Sequence, residues 1–257
     1  MLQSLLTFAA LIAALLAGLE AGRRLGRRLD LSKDEIGTGA AEGVIFAVFG
    51  LIVAFTFSQA ASRFNERRRL IVDQANALGT ANLRLDALDP ADRAAIRRKM
   101  LEWAQLAQTL SASAGDSAAR DATLAQGAKL QGEIWSLAAA AVEKKQQPAL
   151  WAFVMPPIND WTDLTSVREA LNYLGTPPVV MPTVIGMSLV ASILAGFQMS
   201  RYPRQSTLHR AVFAASLAFI ITVMLDLNRP RSGLIRIGAA DRSMAQTEAS
   251  IRALLEP

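Results

Sequence analysis

The sequence predicts an all-α membrane protein with four transmembrane helices, two and two, around a helical insert outside the bilayer. Three observations predict it. Of the 257 residues, 52% are hydrophobic but only 6% are aromatic, so the apolar content is Ala, Leu, Ile and Val, a balance that favours helices. Four windows free of Asp, Glu, Lys and Arg come near the roughly 20 residues that cross a hydrocarbon core of about 30 Å. Between the second and third windows, apolar residues recur every three or four positions, the period of an amphipathic helix, and no strand pattern interrupts them.

The first window, Leu2 to Leu19, closes at Glu20 and reads as the first span. Its alternative is a signal peptide, but it lacks a basic n-region, and its charges follow the apolar run where a cleavage site is expected. The second window, Gly43 to Ser62, holds only Gln59 as a strongly polar residue. The third, Val179 to Ser200, is the cleanest. The fourth, Ala211 to Leu225, is short, which sets His209, Arg210 and Asp226 near the interface, where long side chains snorkel.

Past the second window, Leu70, Ile71, Ala75, Leu78, Ala81, Leu83 and Leu85 keep the helical period, so this helix is expected to run well beyond the bilayer. Asp89-Pro90 reads as an N-cap followed by proline at the first helical position, opening a helix to about Ser111. Residues 113–117, Ser-Ala-Gly-Asp-Ser, form the loop that ends it. Leu124 to Lys145 carries Leu130, Ile134, Leu137 and Ala141 on one face and makes the next helix. Pro156-Pro157 predicts a break before a short helix over Ile158 to Leu174, and Thr176-Pro177-Pro178 marks the turn into the third span. After the fourth span Pro230 stops the helix and Gly233 closes the turn, and Ala240 to about Leu255 makes a last amphipathic helix. The chain thus divides into 1–62 (two spans and their basic loop), 63–178 (extramembrane), 179–227 (two spans) and 228–257 (turn and helix).

Charge and composition exclude several functions. The formal charge is +5, but the arginines crowd the ends of the apolar windows: Arg23, Arg24, Arg27 and Arg28 after the first, Arg63, Arg67, Arg68 and Arg69 after the second, Arg229, Arg231 and Arg236 after the fourth. That is the flanking pattern of membrane helices, not a nucleic-acid footprint. With no cysteine and a single histidine, His209, disulfides, thiol chemistry and the usual zinc sites are excluded, and no metal or cofactor is expected. No phosphate loop or intramembrane carboxylate pair supports catalysis, and Gly37-Thr-Gly39 is too brief for a nucleotide motif.

The end of the second span reads Ala-Phe-Thr-Phe-Ser-Gln-Ala-Ala-Ser-Arg-Phe-Asn-Glu-Arg-Arg over residues 54–68. This resembles the bestrophin helix in which an apolar pore-lining stretch runs into a Ser/Tyr-Arg-aromatic-x-Glu-x-Arg segment on the cytoplasmic side. Thr176-Pro177 before the third span, the short loop between the last two spans, and Asp226, Asn228, Pro230 and Gly233 after the fourth follow in the same order. The run Leu70 to Asp86, with Asn76, Gly79, Thr80 and Arg84, resembles the bacterial bestrophin-like domain family more closely still. The chain departs from bestrophins in lacking the aromatic-rich dipeptide after the arginine and an acidic cluster after Gly233 of the calcium-clasp kind, so calcium gating is not implied.

The resemblance implies a homo-oligomeric ring, pentameric in bestrophins, in a bacterial inner membrane. Its partners are lipid, further copies of the chain and permeant inorganic ions, with the insert a cytoplasmic vestibule. Counting basic residues on the short loops alone gives the opposite sidedness, because Arg23, Arg24, Arg27, Arg28 and Lys33 would hold the first loop in the cytoplasm. By position, the three apolar constriction residues fall on Ala47, Leu51 and Phe55, four apart and so on one helix face, the geometry of rings that gate by dewetting. Without the resemblance they read as lipid-facing or helix-packing residues.

Thr56, Gln59, Ser62 and Arg63 form a polar stripe that faces either water at a pore or another helix through small residues such as Ser58, Ala61 and Ser62. Asn76, Arg84, Asn159, Asp163 and Arg168 are expected to share a polar network with Arg63, Asp226, Asn228 and Arg229, either as structural ion pairing or as a gate or ion vestibule. Two rival functions stand beside the channel: a membrane-anchored sensory or scaffolding protein with no pore, and a small transporter, for which an interrupted helix or an intramembrane ionisable residue is expected.

Overall fold

The computed structural model describes residues 2–29, 38–112, 117–173, 176–200, 207–228, 235 and 238–256, and among them every regular element is helical. In chain order the helices are α1 (Leu2–Leu29), α2 (Thr38–Arg84), α3 (Pro90–Ala112), α4 (Ser117–Lys145), α5 (Pro148–Tyr173), α6 (Val180–Met199), α7 (Thr207–Asn228) and α8 (Gly238–Ala253). A 3-10 turn at Leu85–Ala87 follows α2. Lys33, Gly37, loop positions 113–116, Arg229, Pro230, Arg231, Gly233 and Arg236 lie outside the described residues. Four described segments are long and apolar enough to cross a membrane: Gln3–Leu29, Ala40–Ala87, Val180–Met199 and Thr207–Asn228.

The chain forms two compact units. The first, Met1–Phe64 with Gly175–Ile235, holds α1, the start of α2, α6 and α7. Helix α1 packs on α6 through Gly18, Gly22 and Gly26, spaced so that one face carries no side chain. The approach is close enough that a Cβ at Gly22 would overlap the carbonyl of Ile193, and one at Gly196 would overlap the carbonyl of Leu19. Leu15 and Leu19 close a core with Ala195, Ala214 and Ala218, and Val184, Ile221 and Met224 form a second cluster. Helix α1 does not stop at Glu20. That carboxylate is taken up by Arg23 at 2.9 Å, Arg24 at 3.0 Å and Arg210 at 3.6 Å, which offsets the charge while the helix continues to Leu29.

The second unit, Asn65–Leu174 with Arg236–Pro257, holds the rest of α2, then α3, α4, α5 and α8. The apolar stripe of α2 delivers Leu78 and Ala81, and the 3-10 turn after it Leu85, to a core with Ile96, Met100, Ile134, Ile158 and Ile251. At its centre Trp103 and Trp161 meet in a T-shaped pair with ring centroids 4.7 Å apart, a geometry worth about 0.5–1.5 kcal/mol beyond area burial. Buried Arg97 is satisfied by Asn82 Oδ1 at 3.0 Å and Asp86 at 2.8 Å. The Asp89 carbonyl accepts the Arg93 N–H, as an N-cap residue's does, while its carboxylate pairs with Lys145 at 2.6 Å.

Two expectations are corrected here. Helix α4 begins at Ser117 rather than Leu124, because Ala118, Ala119, Arg120 and Ala122 are strong helix formers that extend it without an apolar period. The break at Pro156-Pro157 does not occur, since both prolines lie inside α5. A proline has no N–H for the carbonyl four residues back, so Pro157 leaves the Phe153 carbonyl without its helical donor. Arg84 supplies one: its Nη1 donates to the Phe153 carbonyl at 2.9 Å, and the guanidinium lies 4.9 Å from the Phe153 ring centroid.

Candidate functional site

Helix α2 positions the first group of candidate residues. Residues four apart on an α-helix are offset by about 40°, so Ala47, Leu51 and Phe55 make a slowly turning line. All three are exposed, Leu51 at 56% and Phe55 at 62%. Gln59 stands four residues past Phe55 and Ser62 three further, and both are exposed on the continuation of the same line. Thr56 and Arg63, seven apart, lie to one side, about 80–100° round the helix from Phe55, and are half-buried. The four-residue polar stripe is thus two: Gln59 and Ser62 extend the apolar line, and Thr56 and Arg63 turn away from it.

What Arg63 turns toward is a hydrogen-bonded relay inside the first unit. Its Nη1 donates to Thr176 Oγ1 at 2.9 Å, and that hydroxyl donates to Asn228 Oδ1 at 2.8 Å. A threonine hydroxyl has one proton to give and lone pairs to accept with, and here both functions are used. Thr176 is presented by the Thr-Pro turn ahead of α6, where the Pro177 carbonyl accepts the Val180 N–H at 3.0 Å, and Asn228 is the last residue of α7. One hydroxyl therefore ties α2 to the segments flanking α6 and α7, across 113 and 52 residues of chain.

Asp226 is buried and accepts the Ser4 hydroxyl at 2.9 Å, linking the start of α1 to the end of α7. Glu42, buried at the start of α2, accepts from Gln198 of α6. The second unit places the remaining candidates. Asn159 donates to Asp163 at 2.8 Å, both exposed on α5. Arg168 donates to Gln74, and Gln74, fully buried, donates to Thr165 at 2.6 Å. Arg84 serves the Phe153 carbonyl. Asn76 is exposed, its carbonyl accepting the Thr80 hydroxyl, and Arg229 lies outside the described residues.

Sequence reasoning missed Ser4, Glu42, Gln198 and Gln74. Gln74 had a signal: it interrupts the apolar positions Leu70, Ile71, Ala75 and Leu78 with an amide that has to be satisfied inside the core. Glu42 also had one, since it closes the charge-free window that begins at Gly43. Among the described residues, no group of three or more His, Asp or Glu side chains is placed to hold a metal ion.

A family model described as a bestrophin-like domain matches residues 5–241 of the chain. No curated protein and no solved structure matches it.

Proposed function

Since this chain belongs to the bestrophin-like family, matched over residues 5–241, we propose that it is an ion channel: a homo-oligomeric ring, pentameric, with an axial pore lined by α2. Its four apolar segments make it a multi-pass membrane protein, and bestrophins are channels rather than catalysts. The reading places the membrane as a bacterial inner membrane and residues 63–178 on its cytoplasmic side.

The observation that carries the reading is one line on the broad exposed face of α2, apolar at Ala47, Leu51 and Phe55 and polar at Gln59 and Ser62, a face that also carries Val44, Val48 and Phe57. A line facing lipid gains nothing from Gln59 and Ser62, whereas polar groups in a span characteristically face a bundle interior or water. A line facing an axis uses both halves: rings of Leu51 and Phe55 narrow and dewet the path, and the polar rings widen it toward solvent. Arg63 sits off this line and is engaged by Thr176, so it braces the lining helix rather than fringing the pore.

Single-cysteine accessibility tests the reading, and the chain itself has no cysteine to confuse the result. In liposomes, Leu51→Cys, Phe55→Cys and Gln59→Cys are expected to react with a charged methanethiosulfonate reagent, to lose ion flux on reaction, and to cross-link between copies under oxidation. Leu5→Cys, exposed on α1, is expected to do none of these. Positions 51 and 55 that stay inert like position 5, or react with flux unchanged, would remove α2 from the pore.

A further inference from the structure

The second unit contains a cleft of about 390 Å³, walled by α2, α3, α5 and α8, that the proposed pore does not use. Two guanidinium groups line it, Arg168 from α5 and Arg242 from α8, against one carboxylate, Asp241. Arg168 is oriented from inside the core. It donates to the amide oxygen of Gln74, whose Nε2 donates to Thr165, whose hydroxyl donates in turn to the Trp161 carbonyl at 2.9 Å. Gln74 is fully buried and neutral, so this contact orients the guanidinium from the core side through an uncharged partner. Arg242 is exposed and makes no hydrogen bond or ion pair among the described residues. The polar groups nearby do not compete, because Gln108 is bonded to Glu248, which also takes Arg252 at 2.6 Å.

The lining carries a net positive charge, with one planar fork on each of two helices, and guanidinium forks match phosphate oxygens in paired hydrogen bonds. We propose that this cleft binds a phosphate group, presented either by a free phosphate-bearing solute or by a lipid headgroup. The inference does not depend on the pore and is tested without current.

Inorganic phosphate is titrated calorimetrically into the full-length protein in detergent, against chloride at matched ionic strength. In parallel, native mass spectrometry follows retention of phosphatidylglycerol after release from phosphatidylcholine nanodiscs with and without it. Saturable phosphate binding, weakened about tenfold or more in Arg168→Gln and Arg242→Gln and unchanged in Lys129→Gln on α4, supports a site for a free anion. Retention of phosphatidylglycerol that is lost in the same two variants supports a headgroup site. A protein that takes up neither, or an Arg242→Gln protein that binds as the parent does, overturns the proposal. Arg242 is exposed, so its variant keeps the test decisive even where Arg168→Gln, which strips Gln74 of its donor, fails to fold.

Discussion

On the proposed reading Arg63 stands near a pore mouth, where an arginine would attract anions, but it lies off the exposed line of α2 and donates to the Thr176 hydroxyl. Hydrogen bonds between membrane helices are modest, about 0.6–2 kcal/mol, so Arg63→Ala is expected to leave a folded protein whose thermal midpoint drops by a few degrees. Its reversal potential in a KCl gradient is expected to be that of the parent, and a shifted value would put Arg63 on the ion path. A second prediction concerns pH. The Lys99 ammonium, 3.0 Å from Glu133, holds that carboxyl below the usual carboxylate range, and Glu133 in return raises Lys99. A lowered carboxyl stabilises the fold above its unfolded pKa, and that contribution is lost as pH falls through the folded value. The raised Lys99 contributes below its unfolded pKa and loses its effect as pH rises through the folded one. Between about pH 5 and 3, the thermal midpoint of the parent is therefore expected to fall more than that of Glu133→Gln, and parallel curves would contradict the pairing. Pairings such as Ser4 with Asp226, 222 residues apart, leave no trace in local sequence, because each partner alone reads as an ordinary polar residue near a helix end.

Helices were legible where the apolar period is strong, and least so where a distant side chain repairs a local fault. The long run of α2 follows from its repeat, and the start of α3 from Asp89-Pro90. The continuity of α5 could not be read locally, since Pro156 and Pro157 both argue for a break and the compensation comes from Arg84, 69 residues earlier in the chain. Arg84 illustrates the same limit at the candidate site: it was expected to share a polar network near the membrane, and its contacts make it the missing donor of a helix. The bond is solvent-exposed, so water can take the place of Arg84, and its net worth is that of an ordinary hydrogen bond, about 0.5–1.5 kcal/mol; Arg84→Ala is expected to lower the unfolding free energy by that order, with Arg84→Lys restoring part of it. Tryptophan fluorescence is the suitable probe, because Trp103, Trp135, Trp151 and Trp161 all belong to the second unit. An Arg84→Ala curve superimposable on the parent would mean that α5 tolerates the two prolines unaided.

For the whole molecule, the apolar windows and the order of short motifs carried the membrane class and the family, because length, charge and period are properties of single segments. Subunit number and the face that meets other copies are properties of an assembly, and the exposed line of Ala47, Leu51 and Phe55 acquires a function only if several copies present it to a common axis. Oxidative cross-links can show that copies meet there, but only ion passage makes the ring a channel. Planar-bilayer recording of the purified protein in asymmetric KCl, beside a Leu51→Ala, Phe55→Ala double substitution, measures it directly. Unitary currents are expected in the parent, with a larger conductance or higher open probability once the two apolar rings are cut back. Silence in both proteins across pH and calcium, or currents the substitution leaves untouched, would contradict a pore through α2.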